Sequence, residues 1–247
     1  EKRGHQTRVN LARVTAMKTT FQWLGMVVAT GIACVCGAQP ATYPAKPVRL
    51  IVPYAPGGVA DLMSRILAQR LGALYNQQVI VDNRPGSGGH LGAEVTVKAP
   101  PDGYTIMFGT TTHNAAYAMY SKLAYDPAKD LQPVVLVAEI QGVLVVHPSL
   151  PTRTVKEFVA LAKARPGELN YGSAGAGSAT HIAAELFKAM AGVNLTHIPY
   201  KGSGPAMTDL IGGQIQLMFE NVPTALPFIK SAKIRALGVT SRSRAPT

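Results

Sequence analysis

From Val48 onward, short β-branched and aliphatic runs alternate with segments whose apolar positions recur every three to four residues, the pattern of an α/β chain with a largely parallel sheet. Val48–Tyr54 reads as a strand. Asp61–Tyr75 reads as an amphipathic helix, with Met63, Ile66, Leu67, Leu71 and Leu74 on one stripe and Arg65 and Arg70 outside it. Gln78–Val81 is the next strand and Leu91–Lys98 a short helix. The turn Pro100-Pro101-Asp102-Gly103 then leads into the strand Tyr104–Gly109. A short helix around Ala115–Tyr120 follows. Two apolar runs come next, Pro133–Ile140 and Val143–His147, with the character of paired or crossover strands.

A second α/β series begins at Thr154. Thr154-Val155-Lys156-Glu157 has the spacing of a capping box, opening a helix that ends at Ala164 before Pro166-Gly167. Leu169–Ser173, Leu195–Pro199, Ile215–Phe219 and Ile234–Thr240 read as strands. Ser178–Met190, Pro205–Ile211 and Thr224–Lys230 read as the intervening helices, the second with proline in its first turn. Two successive series divided near 133–147 predict two lobes with a cleft between them, the first spanning 41–140 and the second 141–247.

The segment before Tyr43 has a different character. Lys18 followed by the apolar run Phe21–Cys36 and the small-residue exit Cys36-Gly37-Ala38 is the signature of a secretory signal peptide over 17–38, cut after Ala38. Residues 1–16 precede the expected initiator Met17 and read as an upstream extension without a fold of their own. Both cysteines, Cys34 and Cys36, fall inside the signal, so the mature region offers no thiol nucleophile, disulfide or cysteine metal ligand.

Composition narrows the classes that remain. With 247 residues, 47% of them hydrophobic and 15% charged, the chain has apolar side chains enough for a packed core, which excludes disorder and collagen-like repeats. A formal net charge of +11 turns attention to anionic partners. The basic residues are spread singly, with no arginine-rich run or aromatic platform, and this weighs against nucleic acid.

The candidate chemistry lies at four Gly-rich strand-to-helix junctions: Pro56-Gly57-Gly58, Pro85-Gly86-Ser87-Gly88-Gly89, Gly172 through Ser178, and Lys201-Gly202-Ser203-Gly204. In an open α/β sheet such junctions sit at the carboxyl ends of the strands, where ligands bind. Glycine admits a ligand close to the backbone, and the following helix presents free N–H groups and a positive dipole end. The ligand expected from this is an anion. None of the loops satisfies a nucleotide template: Leu91 and Thr180 stand where the last glycine of G-x-G-x-x-G belongs, and no phosphate-binding Gly-Lys-Ser/Thr occurs. No serine lies in Gly-x-Ser-x-Gly, and there is no His-Glu-x-x-His, so neither catalytic residues nor a metal or cofactor is implied. His113 and His181, beside Thr112 and Thr180, are the histidines best placed to donate to an anion. An exported α/β enzyme acting on an anionic substrate, with one of them as base, remains the alternative from another class.

The motifs Pro53-Tyr54-Ala55-Pro56-Gly57-Gly58-Val59-Ala60-Asp61, Asp82 to Gly89, Asn170 to His181 and Pro199-Tyr200-Lys201-Gly202-Ser203-Gly204-Pro205-Ala206 occur in one order along the chain. Together they resemble the extracytoplasmic solute receptors of the tripartite tricarboxylate transporter family, the Bordetella uptake protein type. The resemblance implies a monomeric, two-lobed, type II-like periplasmic binding protein, with each lobe a mostly parallel sheet flanked by helices. It implies that the protein closes on a small organic carboxylate and delivers it to the membrane components of a tripartite tricarboxylate transporter. It also implies that Ala55, Pro56, Gly57 and Gly58 bind a ligand carboxylate, helped from the same lobe by Thr111, Thr112 and His113. From the opposite lobe the loop carrying Ser173, Gly175, Gly177, Ser178, Thr180 and His181 contributes, with Glu220 near the cleft. Glu220 stands where relatives commonly carry aspartate, and His90 replaces a common asparagine. The same resemblance places the C-terminal part of the first lobe beyond Thr247, which leaves a truncated, non-functional receptor as a further alternative.

Overall fold

The computed structural model describes residues 42–114, 120 and 122–244. The expected upstream extension, signal peptide and final three residues lie outside the described residues, as does the expected helix around 115–120 apart from Tyr120. Pro44–Thr247 forms one compact unit and contains two sheets.

In the first sheet, β1 (Val48–Val52) lies between β2 (Val79–Asn83) and β3 (Thr105–Met107), all parallel, with Leu50 opposite both Val81 and Ile106. β1 is central because Val48, Leu50, Ile51 and Val52 are apolar on both faces and are all buried. Helix α1 (Val59–Tyr75) returns over this sheet and ends at Asn76 in the left-handed conformation, whose N–H closes on Gly72 O. The side chains α1 buries are Ala60, Asp61, Ser64 and Ala68. This corrects the expected apolar stripe: Ile66 and Leu74 are exposed, at 48% and 75%. Small residues spaced by four let the helix approach the sheet closely, and the bulky stripe is left at its flank. After β2, a 3-10 turn (Ser87–Gly89) leads into α2 (His90–Val97), and α3 (Thr111–Asn114) follows β3. Thr111–Asn114, which carries three of the expected ligand-binding residues, is thus one helical turn.

The second sheet has the order β6-β5-β7-β4-β8, formed by β4 (Gly142–Val146), β5 (Asn170–Ser173), β6 (Thr196–Pro199), β7 (Leu217–Asn221) and β8 (Arg235–Val239). β5 runs parallel to β6 and β7, whereas β4 runs antiparallel to β7 and β8. The run Val143–His147 therefore supplies a central strand. Pro133–Ile140 does not form the expected strand: 131–141 carry no regular structure, and Val134 is 88% exposed. Both ladder edges of β4 are already taken, so this run has no partner strand among the described residues.

Alternation along β7 separates two cores. Leu217 and Phe219 join Leu144, Val146, Phe158 and Tyr171 under α4 (Val155–Ala164) and α5 (Ala179–Ala191). Met218 joins Val143, Val145, Ala206, Leu210 and Ala225 under α6 (Ser203–Ile211) and α7 (Val222–Lys230). Each fully buried large aliphatic here stabilises the fold by roughly 1.5–3 kcal/mol.

The cap at Thr154 differs in one arm from the expected box. Thr154 Oγ1 accepts from Glu157 N–H at 3.2 Å, but Glu157 Oε2 accepts from Arg153 N–H at 2.6 Å rather than from the cap residue itself. Thr154→Ala is expected to lower stability by about 1 kcal/mol, with Thr154→Ser close to wild type, as read by thermal denaturation. Equal melting of Ala and Ser variants would show that the hydroxyl contributes nothing.

Candidate functional site

All four Gly-rich junctions emerge at the carboxyl ends of parallel strands, and they meet in two pairs. The loop after β1 meets the loop after β6: Ala55 N–H donates to Lys201 O at 2.9 Å. A Cβ on Gly204 would lie 2.2 Å from Pro56 O, and one on Gly57 would lie 3.4 Å from Gly204 Cα. The loop after β2 meets the loop after β5, where a Cβ on Gly88 would lie 2.1 Å from Ala176 O and one on Gly175 would lie 3.5 Å from Gly88 Cα. Glycine is required at these points because backbone packs on backbone across the two lobes. Ala174 of the second lobe completes a small core with Val52, Tyr54 and Ala60 of the first.

In the first loop, the expected free N–H groups are partly engaged already. Gly57, at φ +92°, donates its N–H to Asp61 Oδ2 at 3.1 Å. Asp61 is buried and also receives Arg65 Nε at 3.0 Å and Asn83 Nδ2 at 3.1 Å. Burial pushes the Asp61 carboxyl up, but the bonds from Arg65, Gly57 and Asn83 prevail and hold it below the usual range. Asn83 also donates to Tyr54 O at 3.0 Å, which ties the loop to the end of β2. The anion-binding capacity expected of Ala55 and Gly57 is therefore already met by Lys201 O and by an internal carboxylate. Pro56 and Gly58 lie on the face turned to the second lobe, where Gly58 packs near Ser203.

His113 differs from its expected role as a donor to an anion. Its Nδ1 lies 3.2 Å from both the N–H and the carbonyl O of Thr110, and its Nε2 faces Gly89 O at 3.4 Å. Burial holds the ring below the usual histidine range, and it serves as a brace between the turn at 110–113 and the β2 loop. Thr112 is buried with its Oγ1 2.9 Å from Tyr54 OH, whereas Thr111 is exposed. Tyr54 OH donates to Gly88 O at 3.1 Å.

The hydroxyls of the second lobe's loop are similarly committed to holding its shape. Ser178 caps α5 through His181 N–H, at 3.3 Å, and lies 3.1 Å from Thr180 Oγ1, which accepts from Ala174 N–H at 2.9 Å. Gly177 N–H donates to His181 Nδ1 at 3.2 Å, and Gly175 N–H donates to Ser173 Oγ at 3.1 Å. Ser173 Oγ in turn lies 2.7 Å from His197 Nε2. The rings of His181 and His197 stack at 4.2 Å between centroids, with Tyr171 stacked on His197 at 4.8 Å. Glu220, at the end of β7, is 1% exposed.

Two residues that sequence reasoning passed over, Tyr120 and His197, hold these loops, together with His90, which the sequence marked only as a departure from its relatives. Tyr120 donates to Ala176 O at 3.2 Å and to Ser87 O at 3.4 Å, and so spans the two lobes. His90 packs edge-on against Tyr120 at 4.4 Å, with its Nδ1 2.7 Å from Tyr125 OH and its Nε2 buried without a partner. His197 joins the β5 loop to β6. Tyr171 and His197 are opposite in register, so strand pairing alone would have brought out that contact.

A two-lobed α/β architecture with paired glycine loops between the lobes is that of a periplasmic binding protein, and the sequence comparisons specify which. Residues 63–247 match the model of the tripartite tricarboxylate transporter family receptor, and the chain belongs to this family. It is 38% identical to protein BugT of Bordetella pertussis over 239 residues, covering 96% of this chain and 71% of that one. It is 39% identical over 204 residues to a protein in the tcbD-tcbE intergenic region of Pseudomonas sp. strain P51, covering 83% of this chain and 61% of the relative. The chain thus spans about two thirds of the length of these relatives. Among solved structures, a protein of R. palustris with adipate superposes with a TM-score of 0.79 at 40% identity, over 82% of this chain and 68% of that one. MatC from Rhodopseudomonas palustris with bound malate gives 0.77 at 32% identity, over 82% and 69%.

Proposed function

We propose that the protein is a periplasmic solute receptor that binds a small organic carboxylate between its lobes and delivers it to the membrane components of a tripartite tricarboxylate transporter. The observation that carries this reading is the convergence of four Gly-rich strand ends, two from each lobe, on one interlobe face. A ligand there faces helix N-termini from both sides, and these favour an anion. The relatives solved with adipate and malate support a carboxylate. The ligand-contacting set we propose is Ala55–Gly58, Thr111–His113, Ser173, Gly175, Gly177, Ser178, Thr180, His181 and Glu220; within it Ala55, Gly57 and His113, whose polar groups have internal partners, shape the first lobe's wall rather than donate to the anion, and Asp61, Ser178 and Thr180 fix the loops they belong to. The protein acts as a monomer, exported through a cleaved signal peptide over 17–38. The exported-enzyme alternative draws no support from these relatives.

Calorimetric titration against mono-, di- and tricarboxylates, amino acids and neutral sugars tests the reading. Saturable binding confined to carboxylates, without consumption of the ligand, is the expected result. Binding confined to sugars or to cations would overturn it.

A further inference from the structure

The β5 loop meets the first lobe through its backbone, and two imidazoles stand behind it. Gly175 packs on Gly88, and Ala176 O meets both Gly88 and the Tyr120 hydroxyl, so the position of Ala176 decides whether these loops touch. The next residue, Gly177, gives its N–H to His181 Nδ1 at 3.2 Å. His181 lies in the first turn of α5 and is anchored by its own N–H on Ser178 Oγ. At the other end of the loop, Ser173 Oγ holds Gly175 N–H at 3.1 Å and lies 2.7 Å from His197 Nε2. Each ring thus holds one end of the loop.

The bond from Gly177 fixes the state of His181. A backbone N–H can only donate, so Nδ1 presents its lone pair and the neutral ring carries its proton on Nε2. A second proton would have to go on Nδ1, where it sets N–H against N–H. The bond to Gly177 cannot survive it. Four titratable groups face the ring. On α5 itself, Glu185 Oε1 lies 3.9 Å from Nε2, and Lys188 bonds to that oxygen at 2.8 Å. From β5, Tyr171 donates its OH to the same oxygen, and from β6 the His197 ring stacks at 4.2 Å. Lys188 and Tyr171 therefore already claim the carboxylate that would steady an imidazolium, and the positive end of α5 opposes one as well. Burial and Lys188 keep the ring neutral to below the usual histidine range, against the pull of Glu185. Two imidazolium charges at the stacking distance repel, so the pair takes its protons one at a time.

Resting on the receptor reading above, we propose that His181 is the acid-sensitive catch of the interlobe loop, a positioning residue that acts on the ligand through Gly177 and Ala176. Neutral, it holds Gly177 and keeps Ala176 against Gly88. Protonated, it lets Gly177 go, the loop draws back from the first lobe, and a carboxylate held between the lobes is released.

The test follows the wild type, His181→Asn and His181→Ala by NMR between about pH 4.5 and about pH 8, first alone and then with malate or adipate. Asparagine sets an acceptor oxygen where Nδ1 stands and does not titrate, whereas alanine offers no acceptor. In the wild type, the Gly177 amide should shift and lose its exchange protection with the same midpoint as the His181 ring. In His181→Asn it should stay protected throughout, and in His181→Ala it should be open at every pH. Wild-type affinity for the added acid, taken as a ratio to that of His181→Asn, should fall about tenfold from the alkaline to the acid end. The ratio cancels protonation of the ligand and of His197, which act on both proteins. A Gly177 amide that stays protected while the His181 ring titrates overturns the catch. So does a neutral ring whose nitrogen shifts place the proton on Nδ1, and both are read on the wild type should the asparagine variant not fold. An affinity ratio constant with pH overturns the coupling to binding. A loop that titrates as expected in a protein that binds neither acid removes the receptor reading and leaves the catch in place.

Discussion

Gly204→Ala is expected to separate the two lobes while leaving the second lobe as stable as before or slightly more so. Gly204 lies in the first turn of α6 without a positive φ, so its own backbone accepts alanine, and alanine favours a helix over glycine by about 0.5–1 kcal/mol. The obstacle lies entirely across the interface. The added methyl would sit 2.2 Å from Pro56 O and 3.3 Å from Gly57 Cα, and both obstacles are backbone with no rotamer to turn away. Relief requires the loops to part by about an ångström, the gap between that distance and ordinary van der Waals contact. The Ala55 N–H bond to Lys201 O spans the same contact and is lost with it. Hydrogen exchange should therefore show the Ala55 amide protected in the wild type and fast in the variant, with melting unchanged or raised. Binding of a ligand that bridges both lobes should weaken tenfold or more, since closure contributes to its affinity. The exposed substitution Lys163→Ala on α4 serves as the control. Identical exchange at Ala55 in both variants would mean that these loops do not hold the lobes together.

How far the sequence reaches is clear from the same residues. The order of strands and helices was legible because Gly and Pro punctuate it: Pro100-Pro101-Asp102-Gly103 precedes β3, and Pro166-Gly167 separates α4 from β5. The four junctions that matter were likewise visible as glycine clusters. Their pairing was not, because which loops face each other depends on how two sheets approach, and no local pattern encodes that. The stripe chosen for α1 failed for a related reason. Hydrophobicity marked Ile66 and Leu74, but close approach to the sheet selects small side chains, and Ala60, Ser64 and Ala68 supply them. The histidines show the limit for sites. His113 stands in a polar turn and invites a role as anion donor, yet both its nitrogens are engaged by the backbone, a fact that requires the positions of Thr110 and Gly89. Asp61 was quoted within a motif without its consequence being apparent. An acid four residues after Gly57 lies where α1 begins, and its carboxylate takes the N–H that an external anion would use.

The second large effect concerns acid. The fold is expected to lose about 2 kcal/mol as pH falls from the ordinary histidine value of 6.5 toward about 4, the value to which His197 is pushed. Burial is the main cause, the neighbouring His181 and Lys188 add to it, and Glu185 opposes it. His181 is shifted the same way, by burial and by Lys188, again against Glu185. Between those two pH values the unfolded chain binds a proton at His197 that the folded chain refuses. Stability therefore rises with pH across this window and is lost on acidification. The full gap is worth roughly 3 kcal/mol at 1.36 kcal/mol per pH unit, reduced to about 2 because the ring is only partly buried. The charge would appear 4.2 Å from the His181 ring and 2.7 Å from Ser173 Oγ, the atom that holds Gly175 N–H, so the β5 loop takes the strain first. Glu220 contributes with the opposite sign: raised above its ordinary value of 4.5, it favours the fold at low pH and disfavours it as pH rises. Thermal unfolding of the wild type and His197→Gln across this range separates the two. The glutamine can still bond to Ser173 but does not titrate, so its acid loss should be shallower by about 2 kcal/mol. Parallel curves for the two proteins would show that the stacked histidines do not set the acid limit of the fold.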